Sequence, residues 1–307
     1  MKKSVALVYN PAAGSGRWRT SAERVREALK EAGAEVETFT TRGPGDGVAQ
    51  GRRAAEGHPF VAVYGGDGAV NEALNGVVAS GRSPTVLLLA GGTMNVLLRD
   101  LKIPLNPLRG AKLLETGVPR RIYLGTAVYR GCAGWPGGRR YFTLMAGAGF
   151  DGSIVYGMAS RSAAKKALGP WSFVLEGLRQ FTTYNFPEIQ VVSDDGERRG
   201  YGVVVGKSRG YGGFFSVTAG ADSTKPGFQV ALCTERRMAR YFRYMVLALA
   251  GSLEKSRDHL FFPATLLRLA SQEEVRVQID GESVGTLPME FVSDDTSVQI
   301  LTPAGGS

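Results

Sequence analysis

Val61-Ala62-Val63-Tyr64-Gly65-Gly66-Asp67-Gly68-Ala69-Val70-Asn71-Glu72 is the stretch on which the reading of this chain turns. A short apolar run enters three glycines set around one aspartate, and helical spacing follows over residues 69–79. Glycine lacks a Cβ, so backbone N–H groups in such a turn can close on a phosphate. The N-terminus of the following helix adds a positive dipole end. Asp67 then stands at the carboxyl end of a buried strand, the place where ligands bind in open α/β sheets. The plainer reading of the same residues is a tight strand-to-helix turn with a capping aspartate.

The flanking sequence repeats this unit. Residues 4–9 form a β-rich run ended by Asn10-Pro11, and residues 17–32 carry Ala22, Val25, Leu29 and Ala32 at near-helical spacing before Gly33. Residues 34–40 predict a second strand, and residues 46–56 a second helix that Asp46 can cap. Residues 60–64 and 85–89 predict buried strands. Two further turns resemble the first: Asn10-Pro11-Ala12-Ala13-Gly14-Ser15-Gly16 and Gly91-Gly92-Thr93-Met94-Asn95. Strand ends lie side by side in a parallel sheet, so the three loops can converge on one crevice. Residues 1–120 therefore predict an α/β domain, a parallel sheet flanked by helices. Residues 121–307 differ. Strand-like runs at 121–129, 139–146, 187–192, 201–205, 214–219 and 228–233 predict a mainly antiparallel β-sandwich-like domain, with helices near 160–181 and 237–253.

Composition narrows the function classes. Lys and Arg number 37 against 28 Asp and Glu, a formal charge of +9. That balance suits acidic partners such as nucleotide phosphates or anionic headgroups. The basic residues are dispersed, and no nucleic-acid signature accompanies them. Cys132 and Cys233 are far apart, without a CxxC pair or nearby histidines, which argues against a zinc site or a disulfide framework. His58 and His259 are isolated, which argues against Ser–His chemistry. The apolar run after Lys2-Lys3 stops at Asn10, too early for a secretory signal. Residues 83–98, the longest uncharged run, fall short of a membrane span.

Two motif look-alikes fail. Gly14-Ser15-Gly16 has Arg19 where a dinucleotide fingerprint needs its third glycine. Gly206-Lys207-Ser208 resembles the end of a P-loop, but Tyr201 occupies the first glycine position and no helix pattern follows. Near the C-terminus, residues 275–279 predict a strand followed by Asp280-Gly281-Glu282. Asp-Gly is a common hairpin turn, and a carboxylate just beyond it can accept a proton from a substrate hydroxyl. Residues 161–181 mix basic with aromatic and apolar side chains, a composition that suits either an interfacial helix or a helix docked on its own domain.

Together these motifs resemble the diacylglycerol kinase catalytic family, especially its soluble bacterial lipid kinases. The resemblance runs in order through Asn10-Pro11, Thr41, Asp46, the Gly65-Gly66-Asp67-Gly68 turn with Asn71-Glu72, Gly92-Thr93-Met94-Asn95, the AGAGFDG run over 146–152, Gly212-Gly213 and Asp280-Gly281-Glu282 to Leu287-Pro288. It implies a nucleotide domain, a β-sandwich-like lipid domain with the active site between them, and a last strand that is a candidate to return to the first domain. It implies ATP held by Asn10, Gly14, Ser15, Thr41, Gly65, Gly66, Asp67, Gly68, Asn71, Glu72, Gly92, Thr93 and Asn95. Asp67 and Glu282 are then the catalytic carboxylates, Glu282 as proton acceptor. Mg²⁺ is expected to arrive with ATP, since no metal ligand set is legible. The expected partner is a lipid hydroxyl at the membrane surface, met by a cytoplasmic protein peripheral to the inner face. A homodimer is one open option.

The chain departs from the family pattern at Ala69 (usually threonine), at Val96 and Tyr123 (commonly aspartates) and at Lys225-Pro226 (commonly an acidic pair). Fewer carboxylates weaken Mg²⁺ retention. A non-catalytic lipid or nucleotide binder, or an NAD kinase, are the alternative readings.

Overall fold

The computed structural model describes residues 2–11, 17–129, 138–159, 184–211 and 215–305. The chain divides into two compact units, Met1–Tyr123 with Thr296–Ser307, and Leu124–Asp295.

The first unit is built on β1 (Lys3–Tyr9), β2 (Ala34–Thr40), β3 (Phe60–Gly65), β4 (Thr85–Ala90), β5 (Val118–Tyr123) and a strand from the far end of the chain, β20 (Ser297–Thr302). Their order is β2-β1-β3-β4-β20-β5. Every neighbouring pair is parallel except β20 with β5. Val5 to Val8 and Val86 to Leu89 are buried without a break, the pattern of strands covered on both faces. Helices α1 (Arg17–Glu31), α2 (Asp46–Gly57) and α3 (Asp67–Ala79) make the connections. The α2–α3 pair approaches to backbone distance: a Cβ on Gly76 would lie 2.1 Å from the Val48 carbonyl oxygen, and one on Gly51 2.4 Å from that of Ala73. From β1 the chain proceeds to β2 on one side, then returns to β3 on the other. That reversal is the switch point at which open α/β sheets bind ligands.

The second unit contains β6 (Gly125–Tyr129), β7 (Gly138–Phe142), β8 (Met145–Gly149), β9 (Ile189–Ser193), β10 (Gly196–Gly200), β11 (Gly202–Gly206), β12 (Gly210–Tyr211), β13 (Phe215–Ser216), β14 (Phe228–Cys233), β15 (His259–Ala264), β16 (Leu266–Ala270), β17 (Arg276–Ile279), β18 (Glu282–Thr286) and β19 (Met289–Val292). They form two six-stranded sheets, β10-β9-β16-β19-β6-β7 and β15-β14-β11-β8-β17-β18, with β12-β13 apart. All their ladders are antiparallel. Phe142, Ile189, Leu267 and Phe291 of one sheet share a buried core with Ala148, Val205, Val230 and Val277 of the other, the layering of a β-sandwich. Phe142 stacks on Phe228 with centroids 5.7 Å apart.

Two runs that read as single strands are divided. Residues 121–129 split at the buried Leu124 into β5 and β6, which belong to different sheets. Gly125 allows the change, because a Cβ there would lie 2.3 Å from the Phe142 ring. Residues 139–146 split into β7 and β8, which enter opposite sheets around Thr143-Leu144. Apolar content alone does not mark such corners. Of the expected strand over 214–219, residue 214 lies outside the described residues, and 215–219 contribute only the two residues of β13.

The β17–β18 hairpin holds that second corner in place. Asp280 and Gly281 have φ of 47° and 82°, positive at both positions as a two-residue type I′ turn requires. The buried Asp280 carboxylate accepts from Thr143 N (2.9 Å) and Oγ1 (3.1 Å), Leu144 N (2.9 Å) and Met145 N (3.0 Å). Gly281 N–H donates to Gln278 Oε1 at 2.8 Å, and Gln278 Nε2 donates to Asp151 Oδ2 at 2.8 Å. After the short helices α4 (Val96–Asp100), α5 (Pro107–Ala111) and α6 (Leu113–Thr116), Asp151 lies in the first turn of α7 (Phe150–Ala159). Its other oxygen, Oδ1, is buried with no hydrogen-bond partner among the described residues. Burial pushes the Asp151 carboxyl up to about 6 from 3.8.

This carboxyl makes stability pH-dependent. Between about pH 4 and 6 the native state keeps a proton that the unfolded chain has released, so the contribution of Asp151 to stability falls as pH rises through that window. Asp151→Asn cannot ionise. Guanidinium unfolding should show the variant gaining on the wild type by up to about 3 kcal/mol from about pH 4 to about pH 7. A difference that does not change with pH contradicts the burial of an ionisable carboxyl here.

Candidate functional site

The register of the parallel strands aligns the loop ends of the first unit. Tyr9 pairs with Thr40 on one side and Tyr64 on the other, and Tyr64 pairs with Leu89. Asn10, Thr41, Gly65 and Ala90 therefore leave the sheet in one row. With strands about 4.8 Å apart, β2 to β4 spans about 14 Å.

Along this rim the 65–68 and 91–95 loops are in direct contact. Gly91 N–H donates to Gly65 O at 2.8 Å. A Cβ on Gly92 would lie 2.4 Å from Gly66 Cα, and one on Gly91 2.9 Å from Gly65 Cα. Side chains at these positions would drive the loops apart, so glycine is required by close approach. Asp67 Oδ1 accepts Val96 N–H at 2.7 Å, joining the start of α3 to that of α4 (Val96–Asp100). Asn95, in the left-handed region at φ 49°, closes its own loop. Its Oδ1 accepts from Gly92 N at 3.0 Å, and its Nδ2 donates to Gly92 O at 2.8 Å. Gly92 and Thr93 are exposed, and Gly65 to Gly68 are half-buried. The result is a glycine-walled, open surface beside the N-terminus of α3.

Thr41 extends the rim beyond β2. Its N–H donates to Tyr9 O at 2.9 Å, while its Oγ1 is buried and takes no hydrogen bond among the described residues. Buried hydroxyls are nearly always paired, which makes this one a candidate for a ligand contact. Glu72 is placed differently from the glycines. Its two oxygens accept the N–H groups of Gly45 (2.8 Å) and Gly47 (2.9 Å), which caps α2 from α3. Asp46 does not cap α2 by its side chain; its carboxylate accepts from Arg42 N at 2.8 Å instead. Asn71 is buried and accepts from Asn75 Nδ2 at 3.3 Å through its Oδ1. Gly14, Ser15, Gly212-Gly213 and the 161–181 segment lie outside the described residues.

In the second unit, Glu282 opens β18 directly after the Asp280-Gly281 turn. Its side chain is 43% exposed, and Oε2 accepts from Arg140 Nη2 of β7 at 2.6 Å. Arg140 is not legible as a partner of Glu282 in the sequence, because the two stand 142 positions apart and on edge strands of different sheets. Asp151 and Gln278 were also missed in their joint role. The legible trace is Gly147, where a Cβ would lie 1.7 Å from Asp151 Oδ2. Lys207, the lysine of the P-loop look-alike, is fully buried and donates to the carbonyls of Lys225 (2.8 Å) and Gly227 (3.1 Å). Burial pushes its ammonium down to about 8. Among the described residues no three His, Cys, Asp or Glu side chains gather into a metal-binding group. Also among them, no helix is long and apolar enough to cross a membrane.

Residues 4–127 match the diacylglycerol kinase catalytic domain, and residues 145–302 match the YegS C-terminal NAD kinase beta sandwich-like domain. A diacylglycerol kinase of Bacillus subtilis (strain 168) is 25% identical, over 98% of this chain and 97% of its own length. The crystal structure of a diacylglycerol kinase from Bacillus anthracis str. Sterne superposes with a TM-score of 0.71 at 21% identity, covering 99% of this chain and 98% of that one. Yeast NADH kinase complexed with NADH gives a TM-score of 0.54 at 11% identity, covering 99% and 84%. At such identities the structural likeness speaks for the fold alone. The two domain models follow one another along nearly the whole sequence, and the C-terminal match alone takes up more than half of it. The chain belongs to the diacylglycerol kinase family, a catalytic domain followed by a YegS-type C-terminal domain.

Proposed function

We propose that this chain is an ATP-dependent lipid kinase that transfers the γ-phosphate to a lipid hydroxyl of diacylglycerol, phosphatidylglycerol or sphingoid type. The observation that carries the reading is the glycine-to-glycine contact of the 65–68 and 91–95 loops, bridged by Asp67 to Val96 N–H. Phosphoryl transfer asks a protein mainly for positioned phosphates and charge placed where the transition state needs it. Backbone N–H groups of Gly66 and Gly68 are assigned to the phosphates, with the Thr41 hydroxyl, unpaired among the described residues, as a donor further along the rim. Asn95 and Glu72 serve the site by fixing Gly92 and α2.

When bound, Mg-ATP supplies the phosphoryl group and the cation that neutralises it. The donor set fits a cation carried by the nucleotide: Asp67 is the carboxylate beside the glycine walls, and Mg²⁺ keeps most of its ligands as water and phosphate in such sites. Glu282, held by Arg140, is assigned to receive the hydroxyl proton of the acceptor. The protein would work from the cytoplasm at the inner membrane face.

One observation favours the second reading, a non-catalytic binder. Val96, where the family commonly has an aspartate, is buried and offers only its N–H to Asp67. Turnover decides between the two, and the product mass from NAD and ATP tests the NAD kinase alternative.

Thr41→Val should act in opposite directions on stability and binding. Removing a buried hydroxyl that has no partner among the described residues, at constant shape, should raise the unfolding free energy by about 1 kcal/mol, while ATP affinity measured by calorimetry should fall about tenfold. Equal ATP affinity in the variant removes Thr41 from the site. Asp67→Asn should lower kcat on a lipid extract about a hundredfold or more. Glu282→Gln should lower it by about 10²–10⁴ and leave ATP affinity unchanged. Wild-type turnover in both variants excludes the assigned roles.

A further inference from the structure

Helix α8 (Met238–Leu249) of the second unit turns a basic and apolar face to solvent. Its inner side is settled. Tyr244 and Ala248 are buried with Cys233 and Leu253, and Tyr241, Leu247 and Phe261 pack against them. Tyr244 Oη donates to Asp258 Oδ2 at 2.8 Å, and Arg240 Nη1 pairs with Asp258 and Glu235. These contacts fix the rotation of the helix.

The opposite side is outside that cluster. Val246 is 48% exposed and Leu249 52%, two of the few large apolar side chains left in solvent among the described residues. Arg243 is exposed one turn before Val246, and Arg236 and Arg237 are exposed at the helix entry. The helix contains no acidic residue. The nearby Glu235 and Asp258 are both engaged by Arg240, and Arg243 adds a weaker attraction to Asp258. An apolar strip flanked by cations of one sign is the surface of a helix that lies in a membrane interface.

We propose that α8 is the membrane-docking surface of this protein, and that its occupant is a bilayer rich in anionic lipid. The inference deepens the lipid-kinase reading and rests on it for its purpose, though not for its geometry. Charge complementarity selects the partner. A second copy of the chain pairing through this face would set arginine against arginine, which opposes association. A nucleic acid would engage the arginines but leave Val246 and Leu249 without a role. An anionic bilayer uses both, the arginines at the headgroups and the apolar pair just beneath them.

Co-sedimentation of the full-length protein with phosphatidylcholine vesicles, with and without phosphatidylglycerol, tests this without nucleotide or turnover. The wild type should bind the anionic vesicles, and added salt should weaken the binding. Arg236→Glu, Arg237→Glu and Arg243→Glu combined should lower partitioning by about a hundredfold or more, since each cation near an anionic surface contributes about fivefold. Val246→Ser with Leu249→Ser should also reduce it, and both sites are exposed enough to spare the fold. Wild-type binding by either variant set overturns the proposal: by the arginine set because docking then lies elsewhere, by the serine set because no apolar face enters the bilayer. Turnover of a short-chain acceptor dispersed below its micellar concentration should be unchanged in both sets. Vesicle binding without turnover by the wild type would sink the kinase reading and leave the docking surface standing. Turnover with unaltered vesicle binding in the variants would do the reverse.

Discussion

Everything proposed for the first unit depends on two backbones touching. Gly66 and Gly92 belong to loops 26 positions apart in sequence, yet a Cβ on Gly92 would lie 2.4 Å from Gly66 Cα. The contact follows from the sheet. β3 and β4 are adjacent and parallel, so their loops leave together at the carboxyl rim. Asp67 and Asn95 then lock the pair with side-chain bonds to backbone groups. A surface walled by glycine and bordered by a helix N-terminus presents N–H groups at close range, which is what a phosphate requires.

The carboxylates of the chain divide sharply by task. Asp280 and Glu72 spend their oxygens on backbone N–H groups, one holding a strand corner and the other capping a helix. Asp151 is buried with one oxygen unpaired among the described residues, at a cost to stability that grows with pH. Glu282 differs from all three in being well exposed while fixed by Arg140. Exposure combined with fixed orientation is the property a proton acceptor needs. The rigid hairpin beneath Glu282, clamped through Asp280 and through Gly281–Gln278–Asp151, supplies that orientation.

How much of this was legible in the sequence depended on the range of the interaction. The βα units of the first unit are local, and their apolar runs and turn glycines read directly as strands, helices and loops. The Asp280-Gly281 turn was equally plain, since the two residue types that tolerate positive φ stand together. Long-range pairing left no local trace. Neither the splitting of residues 121–129 between two sheets nor the meeting of Arg140 with Glu282 can be read from a window of neighbours. Glu72 was legible as part of a motif but not as a cap, because its partners Gly45 and Gly47 stand at the start of another helix, more than 20 positions away. The outward face of α8 is not legible in the same way, because which side of an amphipathic basic helix packs inward is set by the distant Cys233, Leu253 and Asp258.

The central claim is that the glycine walls bind a triphosphate through their backbone. Titrating isotopically labelled protein with ATP and following backbone amide resonances tests it most directly. The account predicts that the largest shifts fall on Gly66 and Gly68 and on the rest of the first turn of α3. Saturable ATP binding with those amides unmoved would contradict it.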